Sequence, residues 1–230
     1  MGRGYEDYTR PSRQEQVAFM PSVIYQTGRV LLHEDFEMPV LNWAASYGSG
    51  GLVYITTVRS YSGAACLALA TGSTINYVAN ITKKFGYPAK TKIGITLHYS
   101  MPMSGGSYFD IELRLYDAVK QLRFNVRYDM VEQAWYYRDE NDAYVAIEGA
   151  DQKLSRNPDT WHHAKLVVDL ENQQYVSLNS DDGSFDLRGI SPRNAGSATN
   201  RLVYVRLEGS TAVASSKIFY VDDVTITEED

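Results

Sequence analysis

The feature that most constrains this chain is a two-residue alternation of apolar side chains, repeated in segment after segment. In "FDIELRLY" (109–116), Phe109, Ile111, Leu113 and Leu115 share one parity, and Asp110, Glu112, Arg114 and Tyr116 the other. Successive side chains of an extended strand point to opposite faces, so one face belongs in a core and the other faces water. "IGITLHY" (93–99) sets Ile93, Ile95, Leu97 and Tyr99 against Thr96 and His98, and "FNVRY" (124–128) and "LVYVRLE" (202–208) repeat the pattern. Turns bearing Gly or Asn, such as "MSGGS" and "PRNAGS", separate the runs. No segment keeps apolar i, i+3, i+4 spacing over helical length. The pattern predicts an all-β chain, an antiparallel two-sheet sandwich.

The 230 residues are enough for one large β domain, and the 18 Tyr and 17 Gly favour strands and turns over helices. Residues 1–28 differ: they mix Arg, Glu, Asp, Tyr and Gln without periodicity, and Pro11 and Pro21 break any helix or central strand. An extended N-terminal arm (1–28) and a sandwich domain (29–230) are expected. The net charge is −6 with no Lys/Arg run, which argues against a nucleic-acid binder. Residues 60–82 carry no charge, but recurrent Gly, Ser, Thr and Asn deny them the apolar density of a membrane span. The opening residues lack a hydrophobic signal-peptide core, so synthesis in the cytoplasm is expected. Cys66, the single cysteine, reads as a small buried apolar residue.

His162 and His163, half of the chain's histidines, open an alternating run that continues through Ala164, Leu166 and Val168. Neighbours on a strand face opposite ways, so the pair cannot chelate one ion together. One histidine at a sheet margin and one facing solvent is the expectation.

Four segments carry a resemblance: "HEDFEMPVLNW" (33–43), the Ser62-Gly63 turn, "TWHHAKLVVDLENQQYVSLNSDDGSFDL" (160–187) and "KIFYVDDVTIT" (217–227). Together they resemble the concanavalin A-like lectin/glucanase superfamily over roughly residues 30–230, which implies a jelly-roll sandwich. The galactose-binding-like jelly roll of many carbohydrate-binding modules is similar at "DFE…W" and "VDDV" and is the second choice.

Glucanases of that superfamily carry Glu-x-Asp-x-Glu on one strand, and Tyr108, Asp110 and Glu112 are the nearest match. Tyr108 stands where the pattern has its nucleophile. Arg114, on the same face as Glu112, would favour the ionised form of that acid, which is wrong for a proton donor. A cross-strand charge lattice of Asp110, Glu112, Arg114, Arg127, Arg206 and Glu208 is expected instead, with no catalytic residue. In "AWYYRDENDAY" (134–144), Trp135, Tyr136, Tyr137, Arg138 and Tyr144 supply the aromatic and polar mixture of a saccharide-binding loop. The same mixture suits a protein interface, and both readings stand. The resemblance also implies a structural calcium between the first and last strands, with Glu37, Asp222 and Asp223 as ligands. The competing role for these acids is to accept turn amides. In the arm, Phe19, Met20, Val23, Ile24 and Tyr25 are the expected anchors of self-association into a homo-oligomer, or of contact with other assembly proteins.

The reading is a non-enzymatic, lectin-like β-sandwich serving as a structural or attachment component of a larger homomeric assembly. A virion decoration or adhesion protein is its expected setting, since jelly rolls are common there, with polysaccharide binding as a second role. A free carbohydrate-binding protein or lectin is the first alternative, and a glucanase-type glycoside hydrolase the second.

Overall fold

The computed structural model describes residues 28–102, 105–151, 153–181 and 183–229. The proposed arm anchors Phe19, Met20, Val23, Ile24 and Tyr25 lie outside the described residues. In chain order the first eight strands are β1 (Arg29–Glu34), β2 (Ala44–Tyr47), β3 (Leu52–Thr56), β4 (Cys66–Ala70), β5 (Val78–Gly86), β6 (Lys92–Ser100), β7 (Ser107–Asp117) and β8 (Lys120–Asp129). Then come β9 (Ala134–Arg138), β10 (Tyr144–Ala146), β11 (His162–Asp169), β12 (Gln174–Ser180), β13 (Gly183–Asp186), β14 (Arg193–Ser197), β15 (Arg201–Thr211) and β16 (Ile218–Glu229). There is no helix among the described residues.

The strands form two antiparallel sheets of eight strands each, the expected jelly-roll sandwich. Sheet A runs β13-β12-β11-β6-β16-β4-β3, with β1 also paired to β16. Sheet B runs β10-β9-β8-β7-β15-β5-β2, with β14 also paired to β8.

The alternation seen in the sequence is what fills the space between the sheets. Ile93, Ile95, Leu97 and Tyr99 of β6 face Phe109, Ile111 and Leu113 of β7, all fully buried. Aromatic rings bridge the layers: Tyr99 stacks on Phe109 with centroids 4.8 Å apart, and Trp135 meets Tyr99 edge-on at 6.2 Å. Burial of each such side chain stabilises the fold by about 1.5–3 kcal/mol. Cys66 is buried, and desolvation pushes its thiol up to about 12, which leaves it inert.

Two local devices shape the outer faces. On β16 the pairing register with β6 slips between Asp222 and Thr225, and Asp223 adopts a positive φ of 49°. Core residues therefore step from Phe219 and Val221 to Val224 and Ile226, and the bulge re-aims the acids between them. On sheet B, β8 pairs with β9 through residues 126–129 and with β14 near residues 120–123. At that fork a hydroxyl from the other sheet takes over: Tyr175 Oη accepts from the Asn125 amide (2.8 Å) and donates to the Arg138 carbonyl (2.8 Å).

Candidate functional site

The outward residues of β8, β7, β15 and β5 form transverse rows across sheet B. One row reads Arg127–Asp110–Glu208–Asn80 and the next Asn125–Glu112–Arg206–Thr82. Alternation supplies the face and antiparallel register supplies the neighbours. Arg127 grips Asp110 with both nitrogens, Nε to Oδ1 at 3.0 Å and Nη2 to Oδ2 at 3.0 Å. Arg114 pairs with Glu112, and Arg206 with Glu208. The residues of the expected cross-strand lattice do pair, but while Arg127–Asp110 joins β8 to β7, the other two pairs lie within β7 and within β15.

An open recess of about 370 Å³, counted to its mouth, sits over these rows. Asp110, Glu112, Arg123, Asn125, Arg127, Arg138, Tyr144, Arg206 and Glu208 line it. Arg127 lies over the rings of Tyr108 (4.6 Å) and Tyr144 (4.0 Å), and the Tyr144 hydroxyl donates to Asp110 at 3.2 Å. Burial raises the Tyr144 phenol far above its ordinary range, so it is a donor here and not a base. Burial next to Asp110 and Glu112 also pushes Glu208 up to about 7, against the lowering effect of Arg206.

Of the aromatic segment, three residues reach this face and two do not. Arg138 and Tyr144 line the recess, and Tyr136 sits on the same face opposite Arg127. Trp135 is a correction: it is 0% exposed, packed against Tyr99 and Tyr128 in the core, and cannot stack on a sugar. Tyr137 shares its parity and packs inward near Tyr175 (6.0 Å). Four residues of this site were not singled out in the sequence: Arg123 and Asn125 in the recess, Gln121 beside them on β8, and the Tyr175 strut beneath. The outward parity of β8 was the one signal for the first three.

The outer face of sheet A is finished differently, because the 57–65 segment lies across it. Asp222 Oδ2 accepts from the amides of Tyr61 (2.8 Å) and Ser62 (3.2 Å), and its Oδ1 from that of Asp223 (2.9 Å). Asp223 accepts from the Ser62 hydroxyl (2.9 Å), and Glu37 Oε1 from the amides of Ala64 (2.7 Å) and Ala65 (3.0 Å). The three proposed calcium ligands thus converge on one loop, but as acceptors of its N–H and O–H groups. Calcium takes six to eight oxygen ligands, and the carboxylate oxygens named here already face hydrogen-bond donors of the chain. No group of three or more metal-ligating side chains occurs among the described residues. The Tyr61 ring stacks on His98 at 3.6 Å, and burial lowers His98 to about 4, so it stays neutral. His162 opens β11 and is buried, with Nδ1 2.5 Å from Asp181 and Nε2 2.8 Å from the Ser155 carbonyl. His163 takes the outer face but packs 5.5 Å from His98. Neither histidine is arranged as a metal ligand.

No family model and no curated protein matches this chain. Among solved structures, it is similar to an endo-β-1,4-glucuronan lyase from the fungus Trichoderma reesei. The TM-score is 0.63 at 10% identity, over 86% of this chain and 95% of that one. A cellulose-induced protein, Cip1, matches with a TM-score of 0.57 at 14% identity, over 86% and 97%. A carbohydrate esterase from the Shiga toxin-encoding bacteriophage phi24B matches at 0.51 and 15% identity, over 82% and 90%. The likeness is one of fold, a jelly-roll β-sandwich. No helix among the described residues is long and apolar enough to cross a membrane.

Proposed function

We propose that this protein is a carbohydrate-binding β-sandwich without catalytic turnover, which holds a glycan in the recess on the outer face of sheet B. The observation that carries the reading is the lining of that recess. Its floor is almost wholly polar, and it presents ion-paired charged groups and the Asn125 amide beside the rings of Tyr144 and Tyr136. Fixed hydrogen-bonding groups suit sugar hydroxyls, and tyrosine rings suit apolar sugar faces. The neighbours in fold described as a glucuronan lyase and a carbohydrate esterase support the ligand class. A glycan array tests it directly: the wild type should give saccharide signals that Arg127→Ala and Tyr144→Ala remove. Silence across the array would end this reading.

The absence of turnover is inferred from the pairing of every carboxylate in the recess with an arginine and from Tyr108 at the position of the glucanase nucleophile. One observation favours the alternative of a glycoside hydrolase. Glu208 at about 7 is partly protonated at neutral pH and lies directly across from a second carboxyl group, that of Asp110. Polysaccharide hydrolysis abolished by Glu208→Gln would establish that alternative. The setting we propose for the module is a homomeric assembly such as a virion accessory protein. Light scattering of the chain with and without residues 1–28 tests it, and an unchanged mass would reject it.

A further inference from the structure

The sign alternation of sheet B fails in one row. Beyond Asn125 and Glu112 the outward neighbours are Arg193 on β14, Arg123 on β8, Arg114 on β7, Tyr204 on β15 and Lys84 on β5. Three arginines thus face one another across adjacent strands, a placement that destabilises a sheet by like-charge repulsion. The nearby acids are already committed: Glu112 holds Arg114, and Asp142 serves both Arg138 and Arg193. Arg123 makes no ion pair among the described residues, and burial together with Arg114 lowers its basicity.

The same strand carries a second anomaly. Gln121 Nε2, Arg123 Nε and Asn125 Oδ1 are buried polar atoms with no hydrogen-bond partner, on three successive outward positions of β8. Asn125 is only 3% exposed. Outward positions on one strand are about 7 Å apart, so these atoms form a track about 14 Å long. Buried polar groups are ordinarily paired; here Gln121 Nε2 and Arg123 Nε lack an acceptor and Asn125 Oδ1 lacks a donor, a set that a ligand carrying both an anionic group and hydroxyls would complete.

Building on the glycan-binding reading, we infer that the saccharide held by sheet B bears an anionic group, a carboxylate or a sulfate ester, and that Arg123 is the residue that seats it. The guanidinium fork receives two oxygens of the anion, while Gln121 and Asn125 take hydroxyls of the sugar on either side. The acid of the ligand thereby supplies the negative charge that the third row lacks.

The test is calorimetric titration of the full chain with an oligogalacturonate, its methyl ester, a sulfated galacto-oligosaccharide and a neutral gluco-oligosaccharide. At least one anionic ligand should bind tenfold or more tightly than the uncharged ones, and raised salt should erode that preference. Whether the uronate or the sulfated sugar shows it identifies the group. Arg123→Gln should remove the preference while melting no lower than the wild type, since it relieves a like-charge contact. The salt series needs no variant and stands even if the substitution unfolds. Equal binding of the oligogalacturonate, its ester and the sulfated sugar, or a preference that survives Arg123→Gln, would overturn the inference while the glycan-binding reading stands. No binding of any saccharide would bring down both.

Discussion

On sheet A, the acids of the outer face grip main chain: Asp222 and Glu37 hold the amides of residues 61–65 and so fasten a loop over the sheet. On sheet B, the acids grip side chains: Asp110, Glu112 and Glu208 each hold an arginine, and the face stays open. The cores beneath are built alike, from the same alternation. The difference lies in what each carboxylate has for a partner. Backbone donors are fixed by the fold, so an acid bound to them is a fastener. An arginine held by an acid still turns donors into the recess, so an acid bound to one helps form a charged, polar surface.

The largest test of this contrast uses pH, because burial has pushed one acid on each face, Asp222 and Glu208, up to about 7. Below about pH 4 both folded and unfolded states hold these protons, and the groups contribute fully to stability. As the pH rises through 7 the folded state must ionise them in place, and that contribution is lost. The melting temperature should therefore fall from about pH 4 to about pH 8, with Asp222 costing on the order of 3–4 kcal/mol across that window at about 1.4 kcal/mol per unit. Asp222→Asn should flatten most of this profile and Glu208→Gln a smaller part, since Asp222 is 0% exposed. Equal flattening by the two would mean that the faces are equally closed.

A smaller loss is expected from Tyr175→Phe, which strands the Asn125 amide and the Arg138 carbonyl at the fork of sheet B. Orphaning such groups costs about 1–3 kcal/mol, readable by denaturant titration. Because both residues line the recess, glycan affinity should fall as well. A variant that binds normally would show that the strut serves stability alone.

Next comes Gly63→Ala, which touches only the fastened face. Gly63 sits at φ 59°, and an added methyl would run into the Glu37 carboxylate. A penalty of about 1 kcal/mol is expected from the left-handed backbone alone. Saccharide binding should be untouched, and any change in it would mean that the two faces communicate. The smallest effect is none: a chelator should leave the melting curve where it was, since Glu37, Asp222 and Asp223 already accept from the chain. A drop on chelation would restore a calcium to that corner.

Most of the fold was legible because parity is a property of single segments. β6, β7, β8 and β15 were readable with their core faces, and so were the members of the charge lattice. Parity was also enough to separate Tyr136 and Arg138 from Trp135 and Tyr137, although an aromatic segment invites treatment as one loop. Arg123 was out of reach for another reason. Its oddity exists only because the register sets it opposite Arg114 and beside Arg193, and register belongs to pairs of strands far apart in the chain. Tyr175 was hidden in the same way, since its partners lie 50 and 37 positions away.

The bulge on β16 works as a frame correction. Downstream of it, Val224 and Ile226 face the core while Thr225 and Glu229 reach outward to His33 and Lys165. A strand of unbroken parity would exchange those sets, turning Glu229 into the core and Ile226 out of it. A single inserted or deleted residue here thus amounts to rewriting every later position of the strand, while the same change in a surface turn alters one local curve. In β16 length itself is information, and Asp222 and Asp223 occupy the one place where the count is odd.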